Sequence, residues 1–262
     1  MTTDSTETEP PMTDTEEPRK STAALAAVDF TATTLRLVLS TPEQELIADE
    51  RYDLPELADE EAWSWEVGGR LSTLFVQADR LFALGIGIAC PGSVDPIRGV
   101  ITESHAQPGW DDLHVVDALR RHIDAPIVAM NRAHAALRGE MTIGAALDVN
   151  DVLYVSLRDP YPTVATLAAG TIVRGAQHQP GLVTADDPLQ AIATTAAVLD
   201  TARLIIDVAP DEGEATISAM GAALERSGAN AELIVSELAN AAPLYGALEA
   251  ASIVSFEGAR EA

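Results

Sequence analysis

Residues 81–90, "LFALGIGIAC", are apolar at every position and stop at Pro91-Gly92. A strand with one wet face alternates apolar and polar side chains. A strand that is apolar throughout is buried on both faces, as in the middle of a sheet covered by other elements. The Pro-Gly that follows ends such a strand in a loop. This run therefore predicts a central strand in a layered α/β chain, and the patterns on either side of it agree.

Ahead of it, residues 25–40 read as one strand, in which Leu35, Leu37 and Leu39 alternate with Thr34, Arg36 and Val38. "ELIADERYDL" (45–54) reads as its antiparallel partner across the turn chemistry of "STPEQE". Residues 59–78 carry helical spacing, with Trp63, Val67, Leu71 and Leu74 near one face. Beyond the central run, 115–123 predict a short helix, "PIVAMN" (126–131) a strand, and 132–146 a helix. A second series follows: strands at 152–157 and on both sides of Gly170, then a helix over 188–203 running into the strand "LIIDVA" (204–209). A helix at 215–226, a strand at 232–237 and a closing helix near 243–252 complete it. Strands followed by helices, twice over, predict two α/β lobes with a cleft between them.

Composition narrows the function. Residues 1–22 are polar and acidic, with Pro10, Pro11 and Pro18, and read as a disordered tail. The expected divisions are this tail, an N-terminal lobe at 23–132 and a shortened C-terminal lobe at 133–262. A net charge of −25 repels phosphate backbones, and no helix-turn-helix precedes the first strand, so no nucleic-acid partner is expected. The acidity fits either a GC-rich genome with a solubility-driven surface or adaptation to high salt. No apolar run reaches the roughly 18 residues needed to cross a bilayer. One cysteine, Cys90, excludes an intramolecular disulfide and fits a cytoplasmic location. It also makes a tetrahedral metal site unexpected.

"ACPGSVDPIRGVITESHAQPGWDDL" (89–113) resembles the Pro-Gly-x-Val-Asp-x-x-x-Gly segment of the ROK family (repressor, open reading frame, kinase), including Pro108-Gly109-Trp110. The order of "AVDFTATT", "ERYDLP", "VAMNRAHAALRGE", "LYVSL", "RGA" and "YGALEAA" also resembles the family, faintly beyond Gly181. The resemblance implies a two-lobed actin-like ATPase (ribonuclease H-like) fold with a truncated second lobe. It also implies a sugar at the cleft, Mg-ATP above it and a homodimer.

Against that pattern the working residues are altered. The first phosphate loop keeps Asp29 and Thr33, but Thr31 and Ala32 replace two glycines that would let backbone N–H groups reach a phosphate. The second loop is "RDPYPTV" (158–164), with two prolines and no glycine, and "VAPDEG" (208–213) replaces the nucleotide-side glycines. Asn131 matches the family's sugar-orienting Asn, whereas the catalytic Asp position is Arg132, which cannot accept a proton. The nearest alternative base is His134. The family's sugar-binding Asn corresponds to Ala106, beside His105 and Gln107, and its Glu and His fall on Leu182 and Ala185, with His178 and Gln179 out of register. The family's zinc segment is missing. The expectation is a pseudo sugar kinase that regulates, senses a ligand or binds a partner, with no catalytic residue and no cofactor. Asn131, Arg132, Gln107 and Asp95 are its candidate contacts to a sugar or anionic metabolite. Arg132 is expected to bind such an anion or to pair with Glu140 or another cleft carboxylate, and Asp95 to serve as a turn carboxylate ahead of a ligand contact. The alternative is a divergent Mg-ATP-dependent hexose or amino-sugar kinase using Asp159 or Asp186 as base.

Overall fold

The computed structural model describes residues 23–79, 81–104, 107–158, 162–175, 181–209 and 211–261. The predicted tail at 1–22 lies outside them, as do His105, Ala106, Asp159, His178 and Gln179.

The first sheet opens with an antiparallel meander, β1 (Ala23–Phe30), β2 (Thr34–Ser40) and β3 (Leu46–Asp53). Residues 25–40 are thus two strands and not one, folded back so that Phe30 faces Leu35. The turn between them contains no Gly, Pro, Asn or Asp. Thr31 makes it instead: its N–H donates to the Thr34 carbonyl at 2.8 Å, and its hydroxyl accepts from the N–H groups of Thr33 (3.3 Å) and Thr34 (3.1 Å). A side-chain hydroxyl can stand in for turn backbone in this way.

Helix α1 (Glu60–Trp63), capped by Asp59, continues through a π-turn at Ser64–Gly68 into α2 (Gly69–Gln77). Trp63, Val67, Leu71 and Leu74 are all buried, as their spacing predicts. The apolar run forms β4 (Phe82–Cys90), followed by the hairpin β5 (Ser93–Asp95) and β6 (Val100–Glu103), helix α3 (Val115–Arg120) and strand β7 (Ile127–Asn131). The sheet order is β3-β2-β1-β4-β7, with β1, β4 and β7 parallel.

Helix α4 (Arg132–Ile143) leads to β8 (Val152–Ser156), β9 (Thr163–Ala168), β10 (Thr171–Ile172) and β11 (Gly181–Leu182). Then come α5 (Pro188–Leu199), β12 (Arg203–Asp207), α6 (Gly213–Ser227), β13 (Glu232–Val235) and α7 (Ala242–Glu261). The second sheet runs β10-β9-β8-β12-β13, with β11 also on β9. It repeats the plan of the first, an antiparallel meander joined to two parallel strands, without a matching sequence repeat. Helix α5 stops at Leu199, short of the predicted Arg203, because Asp200 turns left-handed (φ 51°) and its N–H closes on the Ala196 and Ala197 carbonyls.

The last helix returns to the first sheet. Leu244, Ala247, Leu248 and Ala251 of α7 pack on Leu25, Ala27 and Ala89, so a division at residue 132 separates α7 from the sheet it covers. The approach is close enough that a Cβ on Gly87 would meet the Ala247 carbonyl oxygen at 1.9 Å. Helix α4 sits between the sheets, turning Ala133, Ala136 and Leu137 to the second sheet and Ala135 to α7. No helix among the described residues is long and apolar enough to cross a membrane.

Candidate functional site

The strand ends of both sheets open on one cleft of about 170 Å³, lined by Asp29, Thr31, Thr34, Arg36, Arg51, Arg132, Arg158 and Asn240. Asp29 lies near the end of β1, on the face that α7 covers further back through Leu25 and Ala27. Arg132 opens α4. Its Nε and Nη2 donate to Asp29 Oδ1 (2.6 Å) and Oδ2 (3.2 Å), a two-pronged pair across 103 residues of chain. The Arg132 and Asp29 side chains are 18% and 9% exposed. The carboxylate that receives Arg132 is therefore Asp29 and not Glu140. Glu140 is fully buried on α4, where it accepts from the Ala145 N–H at 2.7 Å and the Ser236 hydroxyl.

The second sheet supplies a matching pair. Arg158, two residues past β8, donates through Nε to Asp207 Oδ1 at 2.6 Å and through Nη2 to the Val208 carbonyl at 2.9 Å. Burial holds the Asp207 carboxyl above its ordinary range, although Arg158 pulls the other way. Burial likewise pushes the phenol of the adjacent Tyr154 well up. In each sheet an arginine thus occupies the carboxylate at a strand end.

The four candidate ligand contacts do not converge. Asn131 caps α4: its Oδ1 accepts from Ala133 N (2.8 Å) and His134 N (3.4 Å), and its Nδ2 donates to the Gly92 carbonyl at 2.5 Å. It lines a separate recess of about 20 Å³ with Val94, His134, Arg138 and Arg174, while Arg132 lines the main cleft. Asp95 Oδ1 accepts from the N–H groups of Ile97 and Arg98, the turn role expected as its alternative. Gln107 precedes a short 3₁₀ turn, its N–H donating to Ser104 Oγ. Neither Asp95 nor Gln107 lines either cavity.

Of the loop residues, Thr33 is exposed and outside the cleft, whereas Thr31 and Thr34 line it. The Thr31 hydroxyl engages two N–H groups of the turn, the kind of donor a glycine loop presents to phosphate. A third cavity of about 460 Å³ lies beyond Arg158, among Val208, Gly213, Ile217 and Val235.

Sequence reasoning passed over Arg36, Arg51 and Arg158 as site residues. Arg36 sits opposite Asp29 in the β1–β2 register, and Arg51 opposite Arg36 in β2–β3. The available signal was scarcity: the chain has only 16 Lys and Arg, and one of them interrupts the apolar strand β2.

Residues 25–159, just over half the chain, match the model of the ROK family. The chain is 26% identical over 157 residues to a beta-glucoside kinase of Listeria innocua serovar 6a, covering 60% of this chain and 51% of that protein. It is 28% identical over 74 residues to the xylose repressor of Bacillus subtilis (strain 168), covering 28% of this chain and 19% of the repressor. The match therefore spans about half or less of these relatives. A ROK family glucokinase from Streptomyces griseus, solved with glucose and AMPPNP, superposes with a TM-score of 0.66 at 15% identity, covering 87% of this chain and 99% of that one. The shared architecture is the two-lobed α/β fold of the actin-like ATPases.

Proposed function

The chain belongs to the ROK family, and on that premise we propose that it is a member without phosphoryl transfer, a pseudo sugar kinase that senses a small ligand or regulates a partner. The observation that carries this reading is Arg132. It stands where the family resemblance places the catalytic carboxylate, and it is locked onto Asp29. A guanidinium cannot take the hydroxyl proton of a sugar. The bound Asp29 is also the one acidic residue kept from the first phosphate loop, and the hydroxyl of Thr31 engages N–H groups of that loop. The beta-glucoside kinase and the glucokinase solved with glucose favour a small-molecule ligand in the cleft here too. The homodimer belongs to the same proposal, and sedimentation of the purified chain checks it.

The test is turnover. Purified chain is incubated with Mg-ATP and a panel of hexoses, amino sugars and β-glucosides, and phosphorylated product is measured. The expected result is product at background and, by calorimetry, Mg-ATP binding in the millimolar range at best. Turnover abolished by Asp159→Asn or Asp186→Asn would overturn the proposal and establish the divergent kinase.

A further inference from the structure

Glu140 is the one ionisable side chain on α4 that is buried completely, and no ion pair among the described residues neutralises it. Arg203, which donates to the Ala145 carbonyl beside it, forms its ion pair with Glu232 on β13. A carboxylate buried without a cation is costly, and an apolar side chain of the same length would fill the space more cheaply. Its oxygens are nonetheless both used. One accepts from the Ala145 N–H at 2.7 Å, and the other from the Ser236 hydroxyl.

Ser236 carries the contact onward. Its Oγ also accepts from the Ala239 N–H at 2.8 Å, just past the end of β13. Ala239 is held left-handed, at φ 47°, a conformation that costs energy for any residue with a Cβ. It opens the 3₁₀ turn Ala239–Ala241, which carries the chain from the second sheet into α7 on the first. That turn walls two cavities: Asn240 lines the main cleft, while Ser236 and Ala239 line the third cavity beyond Arg158.

We propose that Glu140 is a positioning residue of the cleft: through the Ser236 hydroxyl, its carboxylate holds the strained turn at Ala239 and so fixes Asn240 at the cleft wall. The neighbouring packing braces the same crossover. A Cβ on Gly139 would meet the Ala242 carbonyl oxygen at 2.2 Å, and one on Gly144 the Leu238 side chain at 2.8 Å. Helix α4 therefore touches both ends of the turn, and Glu140 supplies its polar tie. The role goes beyond the reading above and does not depend on whether a phosphoryl group is transferred.

Hydrogen exchange and side-chain amide signals, followed by NMR on the full chain, test this with three variants. Glu140→Met keeps the packing and loses both hydrogen bonds. Glu140→Gln keeps them, its carbonyl accepting from Ala145 and its amide donating to Ser236 Oγ, whose two lone pairs suffice. Ser236→Ala cuts the link from the other side and decides alone if Glu140→Met does not fold. Glu140→Met and Ser236→Ala are expected to speed exchange at Ala239 roughly tenfold and to shift the Asn240 side-chain amide signals. Glu140→Gln is expected to match the parent. Parent-like exchange at Ala239 in Ser236→Ala, or equal effects of Met and Gln, overturns the inference. So does a loss of protection spread evenly over β1, β4 and α7, which would mean that Glu140 serves global stability alone.

Discussion

Replacing Arg132 by Met removes a charge from the Asp29 pair without opening a large void. With N–O contacts of 2.6 and 3.2 Å, the charge centres are about 4 Å apart, a separation worth ~4 kcal/mol at an effective dielectric near 20. Asp29 is only 9% exposed, so it regains little hydration once its partner is gone. The expected loss is about 3 kcal/mol, at the low end for a broken buried pair because the cleft admits some water. Asp29→Asn is expected to cost less, about 1–2 kcal/mol, because the guanidinium left behind is twice as exposed and more readily hydrated. The double variant removes both charges and should return to within about 1 kcal/mol of the parent. Urea unfolding followed by tryptophan fluorescence measures all four stabilities. On heating, Arg132→Met should lower Tm by roughly 6–12 °C for a chain of this size. A loss below about 1 kcal/mol, or a double variant equal to the sum of the singles, would refute the assignment of a desolvated, coupled pair.

The packing of α7 on the first sheet predicts that Gly87→Ala costs about 2–3 kcal/mol, because its Cβ meets backbone that only a shift of the helix can clear. Gly221→Ala, within α6 with nothing near its Cβ, should instead gain up to about 1 kcal/mol, and equal thermal stabilities for the two variants would contradict this. Because burial raises the Asp207 carboxyl above the ordinary aspartate range, the folded chain holds this proton more tightly than the unfolded one. Its contribution therefore favours folding near pH 3.8 and is lost as pH rises through the folded value. The stability of the parent relative to Asp207→Asn should fall as pH rises above about 4, and a difference that grows with pH there would reverse the sign.

Much of the fold could be read locally. The 3.6-residue spacing of Trp63, Val67, Leu71 and Leu74 marks a helix face that is buried throughout, and the unbroken apolar run of β4 marks an interior strand of a sheet, between β1 and β7, although its first residue, Phe82, is exposed. The strand-to-helix boundary at Asn131-Arg132 was equally legible, and so was the loss of glycines at Thr31 and Ala32. The hairpin between β1 and β2 was not, because its turn is built by a threonine hydroxyl while the leucine alternation runs on beyond it. Nor was the return of α7 to the first sheet, since an amphipathic pattern says that a face will be buried but not against what.

The candidate site divides along the same line. Residue type alone determined that position 132 carries a cation that cannot act as a base. Which carboxylate receives Arg132 depended on the meeting of residues 103 apart, and the pair Arg158–Asp207 on the joining of β8 to β12. Periodicity and propensity act over a few neighbouring residues, whereas a cleft is made where distant strand ends converge. The gathering of Arg36, Arg51, Arg132 and Arg158 was therefore decided only by the tertiary structure.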